Sequence, residues 1–173
     1  MGDGEQMRGN SALVAELYER FASDVLRVSY FYLGNRQQAE DVMQETFIRL
    51  MTRNPVLEEG KEKAWLLTVA LNLCRDQWRS GWAKRVLLGE KALEMIPDKE
   101  GEIDRRIEKQ ALMQAVHTLP PDTREVFLLY YYQGFSIEEI AGMLGTVSGT
   151  IASRLSRGRV KLKQLLTEGE DER

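Results

Sequence analysis

A chain of 173 residues with 43% hydrophobic and 29% charged side chains has room for one ordinary domain or two small ones, each with a core. Its formal net charge of −3 excludes a wholly basic nucleic-acid coat, so affinity for a polyanion has to come from local clusters of lysine and arginine. Its one cysteine, Cys74, excludes an internal disulfide, and with one histidine, His117, it cannot complete the roughly four-ligand shell of a structural zinc. No apolar run approaches the roughly 20 residues of a membrane-spanning helix. The opening MGDGEQMRGNS has no apolar signal core and lacks the hydroxyl residue of a myristoylation signal, which predicts a soluble, cytosolic protein.

In chain order, Leu13, Leu17, Phe21, Val25, Val28 and Tyr32 recur at helical spacing until Gly34 stops the pattern. Asn35 and Gln38 then form an Asn-x-x-Gln pair suited to capping a second helix. That helix places Ala39, Val42, Met43, Phe47, Leu50 and Met51 on one side and ends at Asn54-Pro55, because a residue before proline disfavours the helical region. A short loop from Val56 to Lys61 leads to a third helix over about Glu62–Lys84, with Leu66, Val69, Ala70 and Leu73 inward. No strand alternation appears.

Residues from Val86 to Glu102 carry mixed charge, Gly89, Pro97 and Gly101, and read as a linker. Ile103, Ile107, Leu112, Val116 and Leu119 predict a further helix, broken by Pro120-Pro121. Pro121 suits the first turn of the next one, which runs to Tyr132 and stops at Gly134. Ser136-Ile137-Glu138-Glu139 is a Ser-x-x-Glu capping box; Ile137, Ile140, Ala141 and Leu144 face inward and Gly145 supplies a turn. Thr146 or Ser148 can cap the last helix, whose buried stripe is Ile151, Leu155, Leu162 and Leu165. The acidic tail Glu168–Arg173 is expected to fray. The fold class is all-α: a helical bundle over 10–85, a linker over 86–102 and a helix-turn-helix domain over 103–168.

The last helix carries Arg154, Arg157, Arg159, Lys161 and Lys163 with no acidic residue between them. A helix-turn-helix followed by such a basic face suits DNA, with Ser148, Thr150, Ser153 and Arg154 at the end that meets base edges. Arg154, Arg157 and Lys161 are spaced three and four apart and share a face. Asp41, Gln44, Glu45 and Ile48 fall at i, i+3, i+4 and i+7 on the second helix. Such an acidic, amide-rich face with an apolar edge fits either a basic protein partner or plain solvent. Asn72, Arg75, Asp76 and Arg79 repeat that spacing on the third helix, with Trp78 and Trp82 near them. Interleaved aromatics and cations fit either stacking on unpaired bases or packing within the bundle.

Three segments resemble the extracytoplasmic-function (ECF) RNA polymerase sigma factor family. AEDVMQETFIRL resembles the core of region two, KAWLLTVALNLCRDQWR the adjoining promoter-reading segment, and LPPDTREVFLLYYYQGFSIEEIAGMLGTVSGTIASRLSRGRVKLK region four. The resemblance implies that Asp41, Gln44 and Glu45, with Ile48 beside them, grip the clamp helices of the largest polymerase subunit. It implies that Asn72, Asp76 and Arg79, with Arg75 on the same face, lie near the −10 element, and that the loop over about Thr52–Lys61 receives a flipped base. Ser148, Thr150, Ser153, Arg154 and Arg157, with Lys161 beyond them, match the −35 helix. The linker from about Lys84 to Glu102 would thread through the polymerase toward its RNA exit path. An anti-sigma factor, often membrane-bound in the family, is the expected regulator.

The chain departs from the family's usual residues at Leu71 and Ala152, where a basic side chain is common, and at Val147, where proline is. Lost charge at 71 and 152 is expected to weaken phosphate contacts.

Three rival readings compete, and the basic last helix argues against one of them, a module that docks on polymerase without reading DNA. A dimeric helix-turn-helix regulator needs a symmetric interface, and the first half shows no coiled-coil heptad. An enzyme needs reactive groups: His117 has no nucleophile near it in sequence, there is no Gly-x-Ser-x-Gly or phosphate-binding loop, and Cys74 suits a small core residue better than a redox switch. No cofactor, metal or small-molecule substrate is expected.

Overall fold

The computed structural model describes residues 2–88 and 113–171. They fall into two compact helical units, one within Met1–Glu90 and one within Lys91–Arg173. The predicted core positions Ile103, Ile107 and Leu112 lie outside the described residues, as does 89–102 of the predicted linker.

The first unit is three helices: α1 (Gly2–Leu33), α2 (Arg36–Arg53) and α3 (Glu62–Leu88). Its core is Leu17, Val25, Val28 and Tyr32 of α1, Ala39, Val42, Phe47 and Leu50 of α2, and Leu66, Leu67, Ala70, Leu71 and Cys74 of α3. The buried hydroxyls of Ser29 and Thr46 are satisfied within their own helices: Ser29 Oγ donates to the Val25 carbonyl and Thr46 Oγ1 to that of Val42, both at 2.7 Å. Asn35 caps α2, its side chain accepting from the Gln38 N–H at 2.9 Å. Asn54 closes α2 in the left-handed region, φ 43°, before Pro55.

Three expectations change in this unit. Leu13 and Met51, predicted inward, are 41% and 51% exposed. Leu13, Leu17, Phe21 and Val25 repeat every four residues, so on a 3.6-residue helix the stripe drifts about 40° per step and its first member falls off the core. Met51 follows inward-facing Leu50 by one residue, about 100° round the helix. α3 continues to Leu88 because Val86-Leu87-Leu88 offers no breaker before Gly89.

The second unit has residues 113–117 in helix, then α4 (Pro121–Phe127), a π-helical turn (Leu128–Tyr132), α5 (Ile137–Leu144) and α6 (Ser148–Asp171). Pro121 occupies the first turn of α4, as its fixed φ and missing N–H favour. The predicted single helix to Tyr132 widens at its end: the Gln133 N–H reaches back to the Leu128 carbonyl at 3.0 Å. α4 and α5 pack on α6 around Val126, Phe127, Leu129, Ile140, Ala141, Ile151, Leu155 and Leu162.

Arg124 is almost fully buried, and its guanidinium donates to the carbonyls of His117 and Leu119 at 2.5 and 2.9 Å. It thereby ties the end of the preceding helix to α4 and satisfies carbonyls that a helix end leaves open. His117 takes part through its backbone.

Candidate nucleic-acid and polymerase interfaces

On α2, Asp41, Gln44 and Ile48 are exposed and Glu45 is half-buried, all turned away from the core stripe. Gln37 donates to Asp41 Oδ1 at 3.4 Å, and Arg49 Nε pairs with Glu45 Oε1 at 3.1 Å. The face is therefore acidic with one internally paired carboxylate, and Ile48, 47% exposed, supplies its apolar edge.

On α3, Asn72, Asp76 and Arg79 are exposed. Arg75 is half-buried with its Nε shielded from solvent, because it sits one turn beyond Leu71. Of the two positions where a basic side chain is common in the family, Leu71 is fully buried in the core and Ala152 is exposed. Trp78 stacks edge-on to Tyr32, ring centroids 6.2 Å apart, which favours its packing role; the side chain of Trp82 lies outside the described ones.

Between α2 and α3 the loop presents Val56 with its side chain wholly exposed. Lys61 pairs with Glu58, and this hydrogen bond and charge hold the Glu58 carboxyl below the usual carboxylate range. The closure is thus present at neutral pH and lost in acid as Glu58 protonates.

The helix-turn-helix is held by local chemistry. Ser136 Oγ accepts from the Glu139 N–H at 3.1 Å while Glu139 Oε2 accepts from the Ser136 N–H at 2.8 Å, a complete capping box. Gly145, at φ 65°, makes the turn. α6 starts at Ser148, so the cap position falls on Val147, whose carbonyl accepts from Thr150 and Ile151, and not on Thr146 or Ser148 as predicted.

Along α6, Ser148, Ser153, Arg157 and Lys161 are exposed, and Thr150 and Arg154 half-buried. The five cations do not form one face. Arg154, Arg157 and Lys161 line one margin of the buried stripe; Arg159 and Lys163, four apart, follow the other. Arg159 donates to the Tyr131 hydroxyl and lies over that ring, 5.6 Å from its centroid. Arg154 Nε lies 3.6 Å from Asp122 Oδ2. Asp122, Arg124 and Tyr131 are the residues that sequence reasoning missed; each acts through a partner on another element, for which no periodic signal exists.

Residues 17–84 match the family model described as Sigma-70 region 2, and residues 109–162 match Sigma-70, region 4. SigL, an ECF RNA polymerase sigma factor of Mycobacterium tuberculosis, is 32% identical over 162 residues, covering 91% of each chain. The chain belongs to the ECF RNA polymerase sigma factor family. SigE of Mycolicibacterium smegmatis is 31% identical over 161 residues, which are 91% of this sigma factor and 63% of SigE. The chain thus spans less than two thirds of that relative's length.

Among solved structures, the sigma factor RpoE of Bartonella quintana, determined with the anti-sigma factor NepR, is similar at a TM-score of 0.72 and 27% identity, over 88% of this chain and 96% of that one. CnrH, solved with the cytosolic domain of CnrY, shares the fold at a TM-score of 0.70 and 22% identity, over 95% of this chain and 94% of that one. Among the described residues, no helix of this sigma factor is long and apolar enough to cross a membrane.

Proposed function

We propose that the chain directs transcription initiation by joining core RNA polymerase and reading a promoter at two elements. The region over 10–85 acts as the polymerase- and −10-binding domain, that over 103–168 as the −35-binding domain, and 86–102 as the link between them. The observation that carries this reading is the division of charge: an acidic face with an apolar edge on α2, and a basic margin on the second helix of a helix-turn-helix whose first helix has a complete capping box.

Asp41, Gln44, Glu45 and Ile48 dock on the clamp helices of the largest subunit, where the acidic side chains meet basic partners. Asn72, Arg75, Asp76 and Arg79 meet the −10 element, and the loop carrying Val56 receives a base turned out of the opening duplex. Capturing that base offsets part of the unstacking cost of strand opening. Arg154 contacts a base edge, with Ser148, Thr150 and Ser153 on the same half of α6. Arg157 and Lys161 neutralise phosphates.

In this scheme the protein works by binding alone, in the cytoplasm, with no reaction, cofactor, metal or small-molecule substrate of its own. Cys74, fully buried, serves as a core residue. An anti-sigma factor is the proposed regulator, supported by the complex in which the Bartonella quintana relative was solved.

The test is run-off transcription with bacterial core RNA polymerase on a pool of genomic promoters. Discrete start sites that depend on the added protein support the reading. Their absence with active core enzyme overturns it, and a stable dimer in place of a polymerase complex would favour the helix-turn-helix regulator.

A further inference from the structure

Asp122, on the first turn of α4, faces two ways. Its Oδ1 accepts from the Thr123 N–H at 2.8 Å and lies 3.4 Å from the Thr123 hydroxyl. Its Oδ2 points across to α6 and lies 3.6 Å from Arg154 Nε. The carboxylate is thus anchored on its own helix while it engages another. Thr123, the anchor, packs close to Gly158, one turn beyond Arg154, where a Cβ would stand 2.8 Å from Thr123 Cγ2. The separation of Asp122 and Arg154 is therefore tied to how closely α4 and α6 cross.

An ion pair this exposed, with side chains 22% and 54% accessible, contributes little to stability. Its consequence is geometric. A guanidinium is a rigid fork of five N–H donors. With Nε turned toward Asp122, the two terminal nitrogens are the pair left to meet guanine O6 and N7 end-on. The same carboxylate also sits beside Arg157 and Lys161 on a hollow of about 280 Å³, where its charge opposes a nearby phosphate.

We propose that Asp122 is a positioning residue that fixes Arg154 for base reading and so sets discrimination at one base pair of the upstream promoter element, while lowering affinity for DNA of any sequence. This rests on the assignment of Arg154 to a base edge.

The experiment uses full-length protein assembled with bacterial core polymerase on templates randomised through the upstream element, with transcripts sequenced to give the preference at each position. Binding of the same proteins to promoterless duplex at low salt is measured alongside. Arg154→Ala is expected to erase the preference at one base pair. Asp122→Asn keeps an oxygen for the Thr123 N–H but removes the negative charge that Arg154 Nε faces at 3.6 Å. It is expected to reduce the preference at that same pair roughly fivefold and leave other positions alone. It is also expected to raise binding to promoterless duplex about twofold or more. In base preference the double variant should match Arg154→Ala, because the two residues act there as one unit.

An unchanged preference in Asp122→Asn, with Arg154→Ala active in the assay, overturns the proposal alone. So does an equal loss at every position, which marks a structural role. If Arg154→Ala alters no position, the base-reading assignment fails and the proposal falls with it.

Discussion

Gly158 on α6 lies directly against the ring edge of Phe127 on α4. A Cβ at 158 would overlap Phe127 Cε2 and stand 2.8 Å from Thr123 Cγ2. Both neighbours are buried, so relieving the overlap means repacking α4 against α6. Glycine in mid-helix is intrinsically unfavourable, and here the close crossing explains its presence.

Gly158→Ala is expected to destabilise the second unit by up to about 2 kcal/mol. Overpacking costs about 1–3 kcal/mol, and the better helix propensity of alanine returns about 1 kcal/mol. Hydrogen exchange of the full-length protein checks this: amides of α4 and α6 should lose protection while those of α2 do not. Unchanged protection would show that the Phe127 ring can swing aside.

The capping box of α5 yields a local prediction. Ser136→Ala removes the oxygen that accepts from the Glu139 N–H and should cost about 1 kcal/mol. Faster exchange should be confined to α5 and its turn. A loss spread evenly over the second unit would assign Ser136 a wider role.

On α2, Asp41→Ala combined with Glu45→Ala should weaken binding to core polymerase about tenfold at low salt, less at high salt. The lost Glu45–Arg49 pair is a surface pair worth about 0–1 kcal/mol, so helicity should hold. Anisotropy titration of labelled protein with core enzyme measures the effect. Equal affinity at every salt concentration would remove α2 from the polymerase interface.

The tip of the loop between α2 and α3 can be tested without disturbing the fold. Val56 is fully exposed, so Val56→Ser should leave unfolding free energy within about 0.5 kcal/mol. If the loop takes up a flipped base, permanganate reactivity of the opened promoter should fall several-fold while the closed complex forms normally. Undiminished strand opening would show that Val56 contributes nothing to base capture.

Cations on the outer margin of α6 should behave differently from Arg154. Arg157→Ala with Lys161→Ala should weaken promoter binding at every sequence and reduce the slope of log affinity against log salt by up to about 2. Base preferences should survive. A changed preference at one base pair would move Arg157 or Lys161 into the reading group.

Much of this architecture is legible in local sequence. The Ser136–Glu139 box, the Asn35 cap, Pro121 at a first helical turn and Gly145 at a left-handed turn are each set by residues within one turn of the chain. Departures arise where neighbours across helices decide. Leu13 and Met51 lie at the edges of their apolar stripes and miss the core, because how wide a stripe is buried depends on which helices cover it. Leu71 stands in the apolar run 65–74 at a position that the family resemblance turns toward DNA, but the packing of three helices takes it fully inside.

By itself, the sequence determined that the protein is helical, where most of its helices begin and end, and which side chains form the acidic face of α2 and the basic margin of α6. It could do so because periodicity and capping act over three or four residues. The tertiary structure alone decided that Asp122 meets Arg154, that Arg124 closes a helix end, that Arg159 meets Tyr131, and that α4 needs a glycine opposite Phe127. Each of these joins residues brought together only when whole helices pack, so each depends on which faces meet and how closely, which no local pattern records.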